Sequence, residues 1–147
     1  MPDIKSPWPV LADQAQAKLT EAENVLRQAR LKEAEAQSSR ERVLNMITEY
    51  RAKLTQFERQ TNLSDSLNCR QFLAQLVDLD VQAQLRVQQM AAARDLAAEQ
   101  VRLARVELEK IKKLVERENK RLVAHQNKAE QHRLDEMATM RHGLRHA

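Results

Sequence analysis

The chain has 147 residues, 31% of them charged, and a formal net charge of +4, yet it contains one glycine and three prolines. Residues 10–142 contain neither residue type, although a globular domain places both in its turns. Catalytic side chains usually converge on loops, so this composition argues against an enzyme. We therefore expect no catalytic residue, no cofactor and no small-molecule substrate.

The first predicted element is a long helix from about residue 9 to residue 60. Between Ala12 and Phe57, apolar residues recur at alternating spacings of three and four, which is the pattern of a heptad seam. Two charged residues, Glu33 and Arg40, interrupt this seam. The pattern indicates a helix with one narrow apolar stripe.

The segment 61–68 contains the one cluster of turn and capping residues in the glycine-free region. Serine, aspartate and asparagine compete with helical hydrogen bonds and supply N-caps, so we place a chain reversal here. A short connection makes the flanking helices antiparallel neighbours. The alternative is one uninterrupted helix that pairs with another molecule.

A second helix is predicted from about residue 68 to residue 140, followed by a flexible tail at 141–147. Its seam begins at Phe72, passes through Leu79 and Arg86, and contains two successive four-residue steps, at Ala93, Ala97 and Val101. Such a stutter locally unwinds a left-handed supercoil. The whole chain is thus predicted to be one all-α domain, a long antiparallel two-helix coiled-coil hairpin with unequal arms.

The second arm is predicted to be longer than the first. Antiparallel pairing places Ala12 opposite about residue 116, which leaves 118–141 without an intramolecular groove. An unpaired helix is marginal in water, so we expect another protein to complete this overhang. Alanines fill much of the seam and bulkier side chains gather near the turn, so we expect the turn-proximal part to be more stable.

Neither a nucleic-acid site nor a metal site is expected in the basic overhang. Lysine and arginine outnumber acidic residues between 110 and 147, which is consistent with an acidic protein partner or a solvated surface. Interspersed carboxylates and the lack of stacking aromatics argue against nucleic acid. His132 and Glu136, or His142 and His146, have helical i, i+4 spacing, but two ligands do not close a metal site.

The chain resembles the flagellar export protein family FliJ of bacterial type III secretion. The resemblance rests on residues 47–51 before the turn, 71–73 and Leu76 after it, and 131–141 near the carboxyl end. It implies a non-enzymatic component of flagellum biogenesis, protein export and hence motility and chemotaxis. The fold that it implies is similar to the central stalk helices of rotary ATPases.

The resemblance also implies three kinds of partner for a protein that is cytoplasmic and peripheral at the inner membrane. The end with both termini is expected to bind and regulate the hexameric export ATPase, the turn side to contact the membrane export-gate protein, and the chain to escort export chaperones. We expect a monomer when free. The rival hypothesis is a coiled-coil scaffold or substrate chaperone that self-associates.

The candidate ATPase contacts are Glu130, Gln131, Asp135, Glu136 and Arg141, and the candidate gate contacts are Tyr50, Phe72 and Leu76.

Overall fold

The computed structural model describes residues 7–146, which form two α-helices and no strand. Helix α1 spans Trp8–Arg59 and helix α2 spans Leu63–His146. The two helices pack against each other, which confirms the predicted all-α hairpin. Alanine, leucine, glutamate, lysine and arginine dominate both helices, and these are the strongest helix formers.

The connection between the helices is a tight Schellman turn. The Asn62 amide donates to the Phe57 carbonyl at 3.1 Å, and the Thr61 amide donates to the Glu58 carbonyl at 3.3 Å. Thr61 has a φ of 54°, the left-handed conformation that closes this motif and that glycine normally supplies. A β-branched residue in this conformation is strained.

Asn62 caps the first turn of α2. Its side-chain Oδ1 accepts from the Asp65 amide at 3.3 Å, its Nδ2 donates to the Asp65 carboxylate, and its carbonyl accepts from the Ser66 amide. Helix α2 therefore begins at Leu63, five residues before the predicted start at 68. The chain reverses at residues 60–62, so most of the predicted 61–68 turn is helical.

Helix α2 also extends further than predicted at its other end. Residues 141–146, which we expected in a flexible tail, belong to the helix, whereas Ala147 lies outside the described residues. Gly143 does not adopt a positive φ. One glycine costs a helix about 1 kcal/mol relative to alanine, which is too little to end it where good helix formers continue.

The chain divides into two compact units. The turn-side unit is Thr20–Leu103, and the terminal unit comprises residues 7–19 and 104–146 of the described chain. Both helices contribute buried residues to each unit. The buried residues of the turn-side unit are Ala36, Val43, Ile47, Ser66, Cys69, Leu76, Ala97 and Val101, and those of the terminal unit are Ala15, Leu19, Leu108 and Ile111.

Exposure along α2 defines an unpartnered segment in the terminal unit. Ile111 is buried and Glu118 is half-buried, but every side chain from residue 119 to residue 144 is exposed. We call residues 119–144 the distal arm. The distal arm agrees with the predicted overhang within a few residues.

The strained turn gives a stability prediction. We expect Thr61→Gly to raise the free energy of unfolding by about 1 kcal/mol, because glycine relieves the steric cost of the left-handed conformation. Urea unfolding followed by circular dichroism measures this change. The control is Thr55→Gly inside α1, which should destabilise the protein, since glycine disfavours a helix interior. Destabilisation by Thr61→Gly would contradict the turn geometry.

Candidate binding surfaces

A cluster of bulky side chains lies closest to the turn in the turn-side unit. Val43, Ile47 and Leu76 are buried together, and Tyr50 and Phe72 pack against them half-buried, as does Leu73. Leu76 is only 4% exposed. Of the three predicted gate contacts, Tyr50 and Phe72 thus reach the surface, and Leu76 supports them from within.

Tyr50 and Phe72 form a cross-helix aromatic pair. Their ring centroids lie 4.6 Å apart at an interplanar angle of 53°, a tilted contact that adds to apolar burial. The Lys53 Nζ lies 4.6 Å from the Tyr50 ring centroid, within cation–π distance. The Cys69 thiol donates to the Tyr50 carbonyl at 3.3 Å. This arrangement presents two aromatic rings, fixed by packing, beside the ammonium group of Lys53. Such a surface suits a partner whose apolar patch is bordered by acidic residues.

The charged residues in the α1 seam have partners on α2, a feature that the sequence analysis missed. Arg40 Nε lies 3.2 Å from Asp80 Oδ1, and Arg94 Nη1 donates to Glu33 Oε1 at 2.8 Å. The Glu33 side chain is 12% exposed. Arg94 also bonds Asp95, and that bond, followed by the Glu33 charge, raises the pKa of Arg94. The sequence feature that could have indicated these partners is the opposite charge of Glu33 and Arg40, the two charged residues in the α1 seam.

The α2 seam differs from the predicted one at three positions: the half-buried residues are Asp80, Val87 and Arg94, and the predicted Leu79, Arg86 and Ala93 are exposed. The predicted seam passed through Leu79, but Leu79 is 50% exposed, and the half-buried Asp80 faces α1. The seam therefore alternates four- and three-residue steps without a break from Leu76 to Val101, so the predicted stutter at Ala93, Ala97 and Val101 is wrong. Asp80 pairs there with Arg40 of α1. Hydropathy alone favours leucine over aspartate at such a position.

The five predicted ATPase contacts do not share one face of the distal arm. At 100° per residue, Glu130 and Arg141 project within about 20° of each other. Gln131 and Asp135 lie about a third of a turn away in one direction, and Glu136 lies about a third of a turn away in the other. Glu130 accepts from Arg133 at 2.7 and 2.8 Å. The distal arm therefore brings together two of the five residues.

An exposed apolar stripe accompanies Glu130 and Arg141. Leu134 is 52% exposed and Met137 is 47% exposed, and both lie on the same side of α2 as that charged pair. Leu144, also exposed, continues the spacing. We call Leu134, Met137 and Leu144 the distal stripe. The sequence analysis missed it because it followed only the seam, and the distal stripe lies on a different face of α2, about a third of a turn away. The three- and seven-residue spacing of these apolar residues could have revealed it.

His132 of the distal arm contacts Glu136 one helical turn further along α2. His132 Nδ1 lies 3.4 Å from Glu136 Oε1, and both side chains are largely exposed. Within residues 7–146, no group of three potential metal ligands comes together. Over the same residues, neither helix is long and apolar enough to cross a membrane.

Two long helices that pack along a heptad seam define a coiled-coil-like helical hairpin. The family model described as "Flagellar FliJ protein" matches residues 7–146. The chain therefore belongs to the FliJ family and is a component of flagellar protein export. A search of curated proteins and a search of solved structures found no match.

The turn-proximal cluster predicts a clear contrast between two leucines. We expect Leu76→Ala to lower the free energy of unfolding by about 2–5 kcal/mol, because it leaves a cavity beside Val43 and Ile47. Leu79→Ala, an identical change at an exposed position, should alter it by about 0.5 kcal/mol or less. Chemical denaturation measures both values. Equal effects would mean that Leu76 is not the buried anchor of the cluster.

Proposed function

We propose that the protein is a non-enzymatic stalk that binds the hexameric flagellar export ATPase through its distal arm. One observation carries the proposal: residues 119–144 form an ordered helix whose side chains are all exposed, in a chain of the FliJ family. A helix within a protein gains most of its stability from the tertiary packing of one face, and an unpacked helix is marginal in water. A partner that covers this arm would supply that packing.

The distal stripe is the proposed centre of the ATPase contact. Leu134 and Met137 provide apolar area, and Glu130 and Arg141 flank them with opposite charges. Burying large apolar side chains contributes about 1.5–3 kcal/mol each, whereas exposed charges mainly set orientation. Gln131, Asp135 and Glu136 project elsewhere on the helix, where they would meet other walls of an enclosing ring.

The proposed mechanism is allosteric rather than chemical. A stalk that binds the states of a ring unequally shifts the ring towards the state that it prefers. A stalk that contacts several subunits also favours the assembled hexamer by mass action. The protein thereby promotes assembly and ATP hydrolysis without contributing a catalytic residue of its own.

The turn-side unit is proposed to contact the membrane export-gate protein. Tyr50 and Phe72 supply the half-exposed aromatic surface, and Leu76 acts as a positioning residue that holds Phe72. These two contacts would place the protein in the cytoplasm at the inner membrane, as a monomer when free. We further propose that it escorts export chaperones between these two partners.

A self-associating coiled-coil scaffold is the second candidate. Large apolar side chains such as Leu85 and Leu96, at 53% and 64% exposed, lie on α2 outside the seam and favour it. A scaffold would change its size with concentration and would leave the ATPase unaffected.

The proposal is tested by measuring ATP hydrolysis by the flagellar export ATPase of the same organism. The wild-type protein should stimulate hydrolysis. Leu134→Asn combined with Met137→Asn should raise the concentration needed for half-maximal stimulation at least about tenfold, because 1.4 kcal/mol of lost binding already produces that change. His132→Asn combined with Thr139→Asn, on the opposite side of the same helix, is the matched control and should stimulate normally.

The turn-side variant completes the test. Tyr50→Ser combined with Phe72→Ser should weaken binding to the export-gate protein while leaving stimulation of the ATPase intact. The distal-stripe variant should behave in the reverse way. Absence of stimulation by the wild-type protein, together with concentration-dependent dimerisation, would favour the scaffold instead.

A further inference from the structure

We infer that Glu33, Arg40, Asp80 and Arg94 form a register lock, a charged quartet that selects one alignment of α1 against α2 in the turn-side unit. Arg40 pairs with Asp80 and Glu33 with Arg94, each pair joining the two helices. This device does not depend on the proposed function. It concerns which of several similar packings the hairpin adopts.

An alanine-rich seam does not determine its own register. Ala36 and Ala97 are buried, and Ala29 and Ala83 are half-buried, in the same unit. Small knobs of equal size fit equally small holes after a shift of one heptad, so packing in this alanine-rich part of the seam discriminates weakly between such alignments. Selection of one alignment needs residues that are not interchangeable, and polar residues at seam positions do this in coiled coils.

The spacing of Glu33 and Arg40 penalises both neighbouring registers. These residues are one heptad apart on α1 and have opposite charges. A slide of one heptad in one direction moves Arg40 into the place of Glu33, beside the cation Arg94. The opposite slide moves Glu33 into the place of Arg40, beside the anion Asp80. Each slide thus replaces attraction by repulsion at a partly buried contact.

The residues near the turn would allow one of these two slid registers to form. Residues 63–68 contain further capping residues, and Asp65 or Ser66 could cap α2 if α1 were longer by about half a heptad. That change is the slide that would bring Arg40 beside Arg94. The observed turn instead tolerates Thr61 at a φ of 54°. The chain thus keeps a strained turn together with the register in which all four charges are paired.

The lock is tested by measuring the register directly in the full chain. Spin labels at Gln28 on α1 and Gln75 on α2, with Cys69→Ala to remove the native thiol, report the relative axial position by double electron–electron resonance. Arg94→Glu places a carboxylate where it repels Glu33 in the observed register and attracts Arg40 in the slid one. We expect the distance between the labels to increase by about 10 Å, which is seven residues of helix rise.

Two further variants make the result decisive. Arg102→Glu makes the same charge change at an exposed α2 residue whose partner, Glu99, is on its own helix, and it should keep the wild-type distance. The fourfold exchange Glu33→Arg, Arg40→Glu, Asp80→Arg and Arg94→Glu restores every pair and should also keep it. An unchanged distance in folded Arg94→Glu would overturn the inference. If Arg94→Glu does not fold, recovery by the fourfold exchange supports the lock, and failure to recover overturns it.

Discussion

The pairing of α1 with α2 near the turn depends on the burial of Val43 and Ile47 against Leu76. Much of the remaining seam is alanine, which allows the helices to approach closely but removes little apolar area from water. Stability is therefore concentrated in the bulky cluster, and the tilted ring contact of Tyr50 and Phe72 extends that cluster towards solvent. The same packing that stabilises this unit also holds its most distinctive surface.

In this seam, different residues determine the stability of the hairpin and the alignment of its two helices. Apolar burial favours contact between the helices, whereas the charges of Glu33, Arg40, Asp80 and Arg94 distinguish one contact from its neighbours. Both pairs are partly screened by water, so they contribute little to the total stability. Their effect is on specificity, because a slid register brings like charges together.

The helices were predictable from the sequence because the heptad period extends over most of the chain. The position of the turn was less predictable, because several residues between 61 and 68 could cap a helix. Schellman turns also rarely place a threonine at the left-handed position, where this chain has Thr61. Tertiary pairing decided between these caps. Leu79 and Asp80 show the same limit, because heptad spacing allows a step of either three or four residues after Leu76, and hydropathy favours the leucine although Asp80 pairs with Arg40.

The candidate surfaces were predictable only in part. Tyr50 and Phe72 combine aromatic character with a position beside the turn, and both are half-buried. Leu76 has the same hydropathy as a surface leucine, and only the packed structure distinguishes it as buried. In the distal arm, the candidates taken from family resemblance were polar residues on several faces. Leu134 and Met137 emerged once the helix placed them together.

The turn-side unit has its own buried cluster, whereas every side chain of the distal arm, residues 119–144, is exposed to solvent. The central claim of our account is that the export ATPase covers this arm. Amide hydrogen exchange of the protein, alone and with the assembled ATPase, tests it most directly. We expect exchange to slow strongly within 119–144 on binding and to remain unchanged within 20–103. Unaltered exchange in the distal arm, or protection confined to the turn-side unit, would contradict the claim.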